Sequence, residues 1–347
     1  MSISARETQQ LTPAVTRKRL TARRLIVTLG VLLLLITVMI IAATAIGSEH
    51  VSLDAIIKIV TGRAAGVTPE ERVIFAEIRL PRVLMAVIVG AALSVAGAAY
   101  QALLRNPLAD PYILGVSTGA ALGAIAAIVF AESLAVSRPL AAFVGAVLTL
   151  TVVSVLGRNR QGGSSERLIL AGVIVNAFLS SLVIFLVTES GSRQRSVISW
   201  LVGYLGGEPG LLPLVAAFIL AGILVIFANA RSLNLLMMGE EEALALGVEV
   251  RRVKIAVYLA ASLITGAAVA VSGVIGFVGL IVPHAIRLAG GSDNRLVVPA
   301  SALVGGAFLL IADTVARTVI APRELHIGVI TALIGAPAFI YLLRRTS

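Results

Sequence analysis

The residues best suited to chemistry in this sequence are the ionisable and polar side chains in or beside its long apolar stretches. Asp313 and Arg317 are four positions apart, so on a helix they share one face and can neutralise each other. Asn176 lies within another apolar stretch, where we expect it to donate a hydrogen bond to a neighbouring helix. We interpret Asp313 as part of a structural ion pair, because a charge among apolar surroundings normally requires a partner.

The motifs of common enzyme mechanisms are missing from the sequence. There is no G-x-x-x-x-G-K-[ST] phosphate loop, so we do not expect this chain to hydrolyse ATP. There is no H-E-x-x-H motif and no cysteine, and the three histidines are far apart. Gly115, Gly119 and Gly123 form a ladder suited to close helix packing, although the first two also match G-x-S-x-G. We therefore assign no catalytic residue, no metal ligand and no cofactor bound by this chain.

The composition is that of a membrane protein. Hydrophobic residues make up 58% of the 347 residues and charged residues only 13%, far from the balance of a soluble domain. A membrane-spanning helix needs about 20 mostly apolar residues, and such stretches recur along the chain without the alternation of barrel strands. The fold class is therefore predicted to be an all-α polytopic membrane protein.

The apolar stretches predict about ten transmembrane helices. The predicted spans are 25–46, 83–104, 111–130, 138–157, 167–188, 210–229, 254–272, 274–289, 297–316 and 327–344. The seventh and eighth are separated only by Ser272 and Gly273, and if they formed one helix, the later loops would invert. With ten spans and both termini inside, most of the 28 Lys and Arg residues lie in the cytoplasm, as the positive-inside rule requires.

Residues 1–24 form a basic tail, and residues 25–347 form one transmembrane domain. Three connections are long enough for structure of their own. The segment 47–79 is predicted to carry a short helix near residues 53–60, and 189–210 a short interfacial helix. The third connection, 230–252, is cytoplasmic and includes an acidic segment.

Leu235 to Gly247 is predicted to contain a short amphipathic helix between two glycines. Its Met and Leu residues would suit a helix lying on lipid. Three consecutive glutamates disfavour an anionic bilayer surface, so docking into another protein is the preferred interpretation. Prolines mark two further irregular places: the link 106–111, and Pro283, which is expected to kink or interrupt the eighth helix.

Ordered motifs across nearly the whole chain resemble the FecCD family of permeases, the membrane subunits of vitamin B12, haem and ferric siderophore importers. The segments that carry this resemblance are Arg79–Arg82, Gly97–Gln101, Arg105–Pro111, Leu114–Ala120, Leu170–Val173, Gly276–His284, Ile327–Thr331 and Gly335–Pro337. Roughly the first 75 residues have no distinctive family signature.

The resemblance implies a type II ABC importer permease fold in a bacterial or archaeal inner membrane, with both termini cytoplasmic. It implies a second permease subunit, most often in a homodimer, two cytoplasmic ATPase subunits that use ATP and Mg, and an external substrate-binding protein. Nucleic acid is not an expected partner.

The resemblance also implies roles for individual residues. Arg79, Arg82 and Arg317 match arginines that receive acidic residues of the binding protein. Asn106 and Leu108 match one cytoplasmic gate, and Ser164 and Ser165 match the second, where Glu166 departs from the expected small polar residue. Within the coupling loop 231–253, the residues expected to contact the ATPase are Leu235, Met238, Gly239, Glu240, Glu241, Ala243, Leu246 and Gly247.

The substrate is not fixed by these residues: ferric siderophore, haem and cobalamin permeases share the framework, and an iron chelate is preferred as the commonest case. An ion-coupled secondary transporter is the alternative function. It would require a coupling-ion site, and the sequence has no acidic cluster within its apolar stretches.

Overall fold

A computed structural model describes residues 20–47, 52–62, 66–130, 137–157, 165–206, 209–321 and 323–346. Most of the basic tail lies outside this range. Ten apolar helices are found in the described part of the chain, seven of them long enough to span a membrane and three shorter. They are α1 (Ala22–Ala45), α4 (Leu80–Leu103), α5 (Val116–Phe130), α6 (Ser137–Leu156), α7 (Ser165–Glu189), α9 (Leu212–Ala228), α12 (Val250–Ser272), α13 (Val278–Gly290), α14 (Asn294–Thr318) and α15 (Ile327–Thr346).

Short helices fill the three long connections, as the sequence predicted. They are α2 (Leu53–Val60), α3 (Pro69–Val73), α8 (Gln194–Leu201), α10 (Ala230–Leu236) and α11 (Glu240–Ala245). A π-helical turn, Ile74–Arg79, joins α3 to α4. In the acidic segment, α11 lies between Gly239 and Gly247, which confirms the predicted helix between two glycines.

The centre of the bundle is α4, which packs against α12, α13 and α14. Every residue from Ala92 to Leu103 is buried, and small residues let the helix backbones approach closely. A Cβ atom added to Gly97 would lie only 1.9 Å from the carbonyl oxygen of Gly279 on α13. By contrast, α1 exposes large apolar side chains along most of its length, as expected of a helix in contact with lipid.

The glycine ladder on α5 also packs as predicted. Added Cβ atoms at Gly119 and Gly123 would meet backbone oxygens of α6 at 2.7 and 2.1 Å. Asn176 of α7 does make an interhelical hydrogen bond, but it accepts the bond from the Thr118 hydroxyl instead of donating it. The predicted interhelical hydrogen bond is therefore present, with the Asn176 side-chain oxygen as its acceptor.

The seventh and eighth spans are separate helices. The chain leaves the helical conformation between Ser272 and Val278, with positive φ angles at Gly273 (67°) and Phe277 (71°). Helix α13 then continues through Pro283 without interruption. The break therefore lies before this helix, beside the glycines, and the predicted interruption at the proline is wrong.

The helices connect two faces of the bundle. The face at which α1 begins is called the terminal face, and there Arg24 donates to the carbonyl of Gly290 at the end of α13. Helix α14 starts at the same face and ends beside the last turn of α1, at the opposite face. Since α15 starts near Val202 at the opposite face, it ends at the terminal face. This arrangement agrees with ten crossings, since the start of α1 and the end of α15 lie at one face.

Candidate functional site

A cluster of four charged side chains lies at the opposite face and is called the arginine cluster: Arg82, Asp313, Arg317 and Glu324. Asp313 is fully buried, and its two oxygens accept from the Nε atoms of Arg82 and Arg317, each at 2.9 Å. Arg82 also donates to Glu324, at 2.8 Å. The predicted pair of Asp313 and Arg317 is confirmed, with Arg82 as a second cation.

The arginine cluster joins several elements of the bundle. The Arg317 guanidinium also lies 3.4 Å from the carbonyl oxygens of Ala43 and Ile46, at the end of α1. A cation there binds carbonyls that have no partner within their own helix, and it is stabilised by the partial negative charge of the helix C-terminus. With two cations and two anions, the cluster is neutral, so its charges are balanced within this chain.

Arg79 also contacts the end of α1. It is the last residue of the π-helical turn, which arises beside Pro81: the N–H of Leu80 bonds to the carbonyl of Phe75, five residues back. The Arg79 side chain is buried and donates to the carbonyls of Thr44 and Ala45, at 3.4 and 3.5 Å. The structure thus brings Arg79, Arg82 and Arg317 together, each bonded within the chain.

The loop after α4 contains the residues predicted to form the first gate. The Asn106 side chain accepts a hydrogen bond from the backbone N–H of Leu108 at 2.9 Å, which stabilises a tight turn and leaves the Leu108 side chain exposed. Arg105 has a φ of 51°, in the left-handed region that is uncommon for a side-chain-bearing residue. The turn therefore exposes the apolar side chain of Leu108 next to the polar residue Asn106.

Asp110 ends this loop and caps the turn that follows, accepting from the N–H of Tyr112 at 2.8 Å. Burial raises the pKa of the Asp110 carboxyl group to about 6, and the hydrogen bond from Tyr112 only partly opposes this. Of the predicted second gate, Ser164 lies outside the described residues. Ser165 is described as the first residue of α7, at the terminal face.

The predicted coupling residues surround α11 on the terminal face. Met238 and Leu246 are 68% and 62% exposed, and Glu241 is exposed beside them. Leu235 is half-buried, and Gly239 and Gly247 bound the helix, with Gly247 in the left-handed region at φ 81°. The exposed side chains around α11, apolar Met238 and Leu246 with acidic Glu241, are called the coupling surface.

Contacts of α10 and α11 with α12 and α14 hold the coupling surface on the bundle. Ala243 is fully buried, and the Glu240 carboxylate bonds to Lys254 on α12 at 2.5 Å. Through α10, the Asn234 side chain donates to Asp293 and accepts from the N–H of Asn294, both at 2.8 Å, at the start of α14. The coupling surface is therefore fixed to two of the central helices.

The sequence model of the FecCD transport family matches residues 33–345. The chain belongs to the FecCD transport family. It is 46% identical to the cobalamin import permease of Halobacterium salinarum, over 80% of this chain and 75% of that protein. It is 42% identical to the hemin transport permease of Yersinia pestis, over 91% of this chain and 95% of that protein.

A solved structure of an ABC transporter assigned to the metal-chelate type, in an inward-facing conformation, has the same fold. It matches with a TM-score of 0.81 and 31% identity, covering 92% of this chain and 99% of the other. As a FecCD permease, the chain is the multi-pass membrane subunit of an ABC importer and is not itself an enzyme, because the ATPase is a separate subunit.

Two residues of this FecCD permease were missed in the sequence. Glu324 lies in a polar loop 242 positions from Arg82, so no local spacing signals their contact. Leu244 is 59% exposed on the coupling surface. The signal that could have found it is its spacing: residues three apart share a face of a helix, so Leu244 lies on the same face of α11 as Glu241.

Proposed function

We propose that this subunit imports an iron complex, either a ferric siderophore or haem, or else cobalamin, by alternating access. The support comes from relatives named for cobalamin and hemin and from the metal-chelate transporter that shares the fold. The iron complex is the preferred cargo. The chain makes and breaks no bond in it: movements of its helices expose a central path first to one side of the membrane and then to the other.

The observation that carries this proposal is the coupling surface. A solvated short helix that carries exposed Leu244 and is flanked by exposed Met238 and Leu246, beside acidic residues, is suited to a groove in a partner protein. We assign this partner as the ATPase subunit, which binds ATP and Mg. Nucleotide-driven movement of the ATPase would then pass through Ala243 and the Glu240 to Lys254 pair into the bundle.

The arginine cluster and Arg79 are proposed to dock the substrate-binding protein at the opposite face. Acidic residues on the two lobes of that protein would pair with these arginines and set its register. A docking carboxylate would compete with Glu324 for Arg82. Substituting Arg82→Gln should therefore weaken binding-protein affinity, while Arg195→Gln on exposed α8 serves as the control. Equal affinity in both variants would contradict this assignment.

Three further parts of the assembly are proposed. The terminal face is cytoplasmic, since the basic residues follow the positive-inside rule with that orientation. Residues 25–347 act as one transmembrane domain, paired with a second permease subunit, most simply another copy of this chain. Asn106 and Leu108, with Ser164 and Ser165, form the two cytoplasmic gates around the path between the subunits.

The test of the proposed function is uptake into proteoliposomes. The permease, its ATPase and its binding protein would be offered ferric siderophores, haem and cobalamin, with and without ATP. ATP-dependent accumulation of one ligand is expected. Uptake driven only by an ion gradient would instead establish a secondary transporter.

Coupling is tested in the same liposomes with the double variant Met238→Ser and Leu246→Ser. Both side chains are exposed, so folding should be unaffected, whereas loss of two apolar contacts should lower uptake by roughly tenfold or more. The control is Glu249→Gln, an exposed glutamate outside the coupling surface. Full uptake in the double variant would reject the coupling role of this surface.

A further inference from the structure

A partly open cavity of about 310 Å³ lies near the terminal face, between the end of α4 and α13. The side chains that line it include those of Gln101, Arg105, Met237, His284 and Arg287. Its mouth is level with the start of α1, because Arg24 contacts Gly290, three residues from Arg287. The cavity therefore lies at the end of the bundle at which α1 begins.

The cavity is positively charged. Arg105 and Arg287 both line it, and no acidic side chain does so among the described residues. Arg287 donates to the Asn294 side chain at 3.2 Å and to the Ala98 carbonyl at 3.0 Å, both neutral groups. Unlike Arg82 and Arg317, it has no carboxylate within ion-pair distance in the described part of the chain. A largely buried guanidinium without a counter-ion is costly to the fold.

Other polar groups in the wall are also unsatisfied. Both ring nitrogens of His284 and the side-chain oxygen of Gln101 have no hydrogen-bond partner among the described residues. His284 and Gln101 are only 7% and 2% exposed. Buried polar atoms are nearly always bonded in native proteins. One imidazole nitrogen of His284 carries a proton to donate, and together with the two cations it favours a ligand with several oxygens. The Gln101 oxygen and the other ring nitrogen are acceptors, so the same ligand or a bound water has to donate to them.

We propose that this cavity binds a phosphate group, held by Arg287 within the cavity and Arg105 at its mouth. The fork of a guanidinium matches the oxygens of phosphate, and an imidazole N–H can donate to a third oxygen. A protonated phosphate oxygen or a bound water can donate to Gln101. The phosphate belongs either to a phospholipid headgroup or to a free phosphate ion, since the chemistry of both is the same.

Such a ligand would connect two parts of the proposed mechanism. Pro107, between the gate residues Asn106 and Leu108, also lines the cavity, and so does Met237, next to the coupling surface. A bound phosphate would brace the gate loop against the coupling segment. This consequence rests on the proposed function, whereas phosphate binding does not.

The test measures binding by the purified full-length permease alone, so its outcome is independent of ATPase, binding protein and cargo. The two probes are radiolabelled inorganic phosphate, in equilibrium dialysis, and phosphatidylglycerol, counted as retained lipid by native mass spectrometry. The variants are Arg105→Gln and Arg287→Gln. The control is Arg251→Gln, an exposed arginine near the same face.

Arg105→Gln should weaken binding of one probe by about tenfold, as for a charged hydrogen bond at a partly exposed site. Arg287→Gln should weaken it at least as much, and Arg251→Gln should match the wild type. Because Arg105 is exposed, its variant keeps the test valid even if Arg287→Gln fails to fold. Selective loss of lipid or of free phosphate supports the proposal and identifies the source. Failure of both probes to distinguish Arg105→Gln from the wild type would overturn it.

Discussion

Asp313 is the centre of the arginine cluster, and Asp313→Asn is the sharpest perturbation of the fold. The substitution keeps the size of the side chain but removes its charge. Two largely buried guanidiniums, those of Arg82 and Arg317, then share one amide oxygen where each had a carboxylate oxygen at 2.9 Å. The net charge of the cluster changes from zero to +1.

The expected loss of stability follows from this imbalance. Removing one partner of a buried ion pair typically costs about 3–5 kcal/mol, because the other charge is left uncompensated. Glu324 still balances Arg82, so we expect a value near the lower limit, about 3 kcal/mol. Glu324→Gln is the matched control: its side chain is 42% exposed, and a pair of that kind contributes about 0–1 kcal/mol.

The measurement is thermal unfolding of the purified permease in detergent, followed by circular dichroism. The midpoint should fall far more for Asp313→Asn than for Glu324→Gln. The double variant Asp313→Asn with Arg317→Gln restores neutrality, so its loss should be smaller than the sum of the two single losses. Equal midpoints for Asp313→Asn and Glu324→Gln, or additive losses in the double variant, would refute the reasoning.

Two further predictions concern packing and pH. Gly97→Ala should lower the unfolding midpoint by an amount that corresponds to roughly 1–3 kcal/mol, because its Cβ would meet the backbone of Gly279, whereas Gly30→Ala, with open space around it, should be nearly neutral. The pKa of Asp110 is about 6 when folded, against about 3.9 for a model peptide, so the folded state holds this proton more tightly. The unfolding midpoint of the wild type should therefore fall as the pH rises from about 4 through 6. The Asp110→Asn variant should lack this fall, and the control Asp54→Asn should retain it. A wild-type midpoint unchanged over that range would contradict the prediction.

Much of the fold could be predicted because a bilayer imposes simple rules on sequence. The apolar stretches predicted the bounds of the ten helices to within a few positions, and glycines marked the break before α13. The short helices α2 and α8 were also correctly placed. Of the two effects expected of Pro283, a kink or an interruption, the interruption is wrong: a helix tolerates a proline when neighbouring elements satisfy the freed carbonyl, and α13 does not break there.

The site was only partly predictable, because its contacts join distant segments. The pair of Asp313 and Arg317 is visible as a four-residue spacing, but Arg82 lies 231 positions from Asp313. Glu324 and the cavity around Arg287 likewise depend on helices that meet only in the folded chain. For Asn176, the sequence showed an interhelical hydrogen bond but not its direction, which depends on the hydroxyl of Thr118.

Helix α14 connects the two proposed docking regions as one continuous helix. Its first residue bonds to Asn234 below the coupling surface, its last turns carry Asp313 and Arg317, and its 25 residues extend over about 37 Å. Free energies of binding at two linked sites are reciprocal. If nucleotide binding to the ATPase alters the affinity for the binding protein through this helix, docking of the binding protein must alter nucleotide affinity by the same factor.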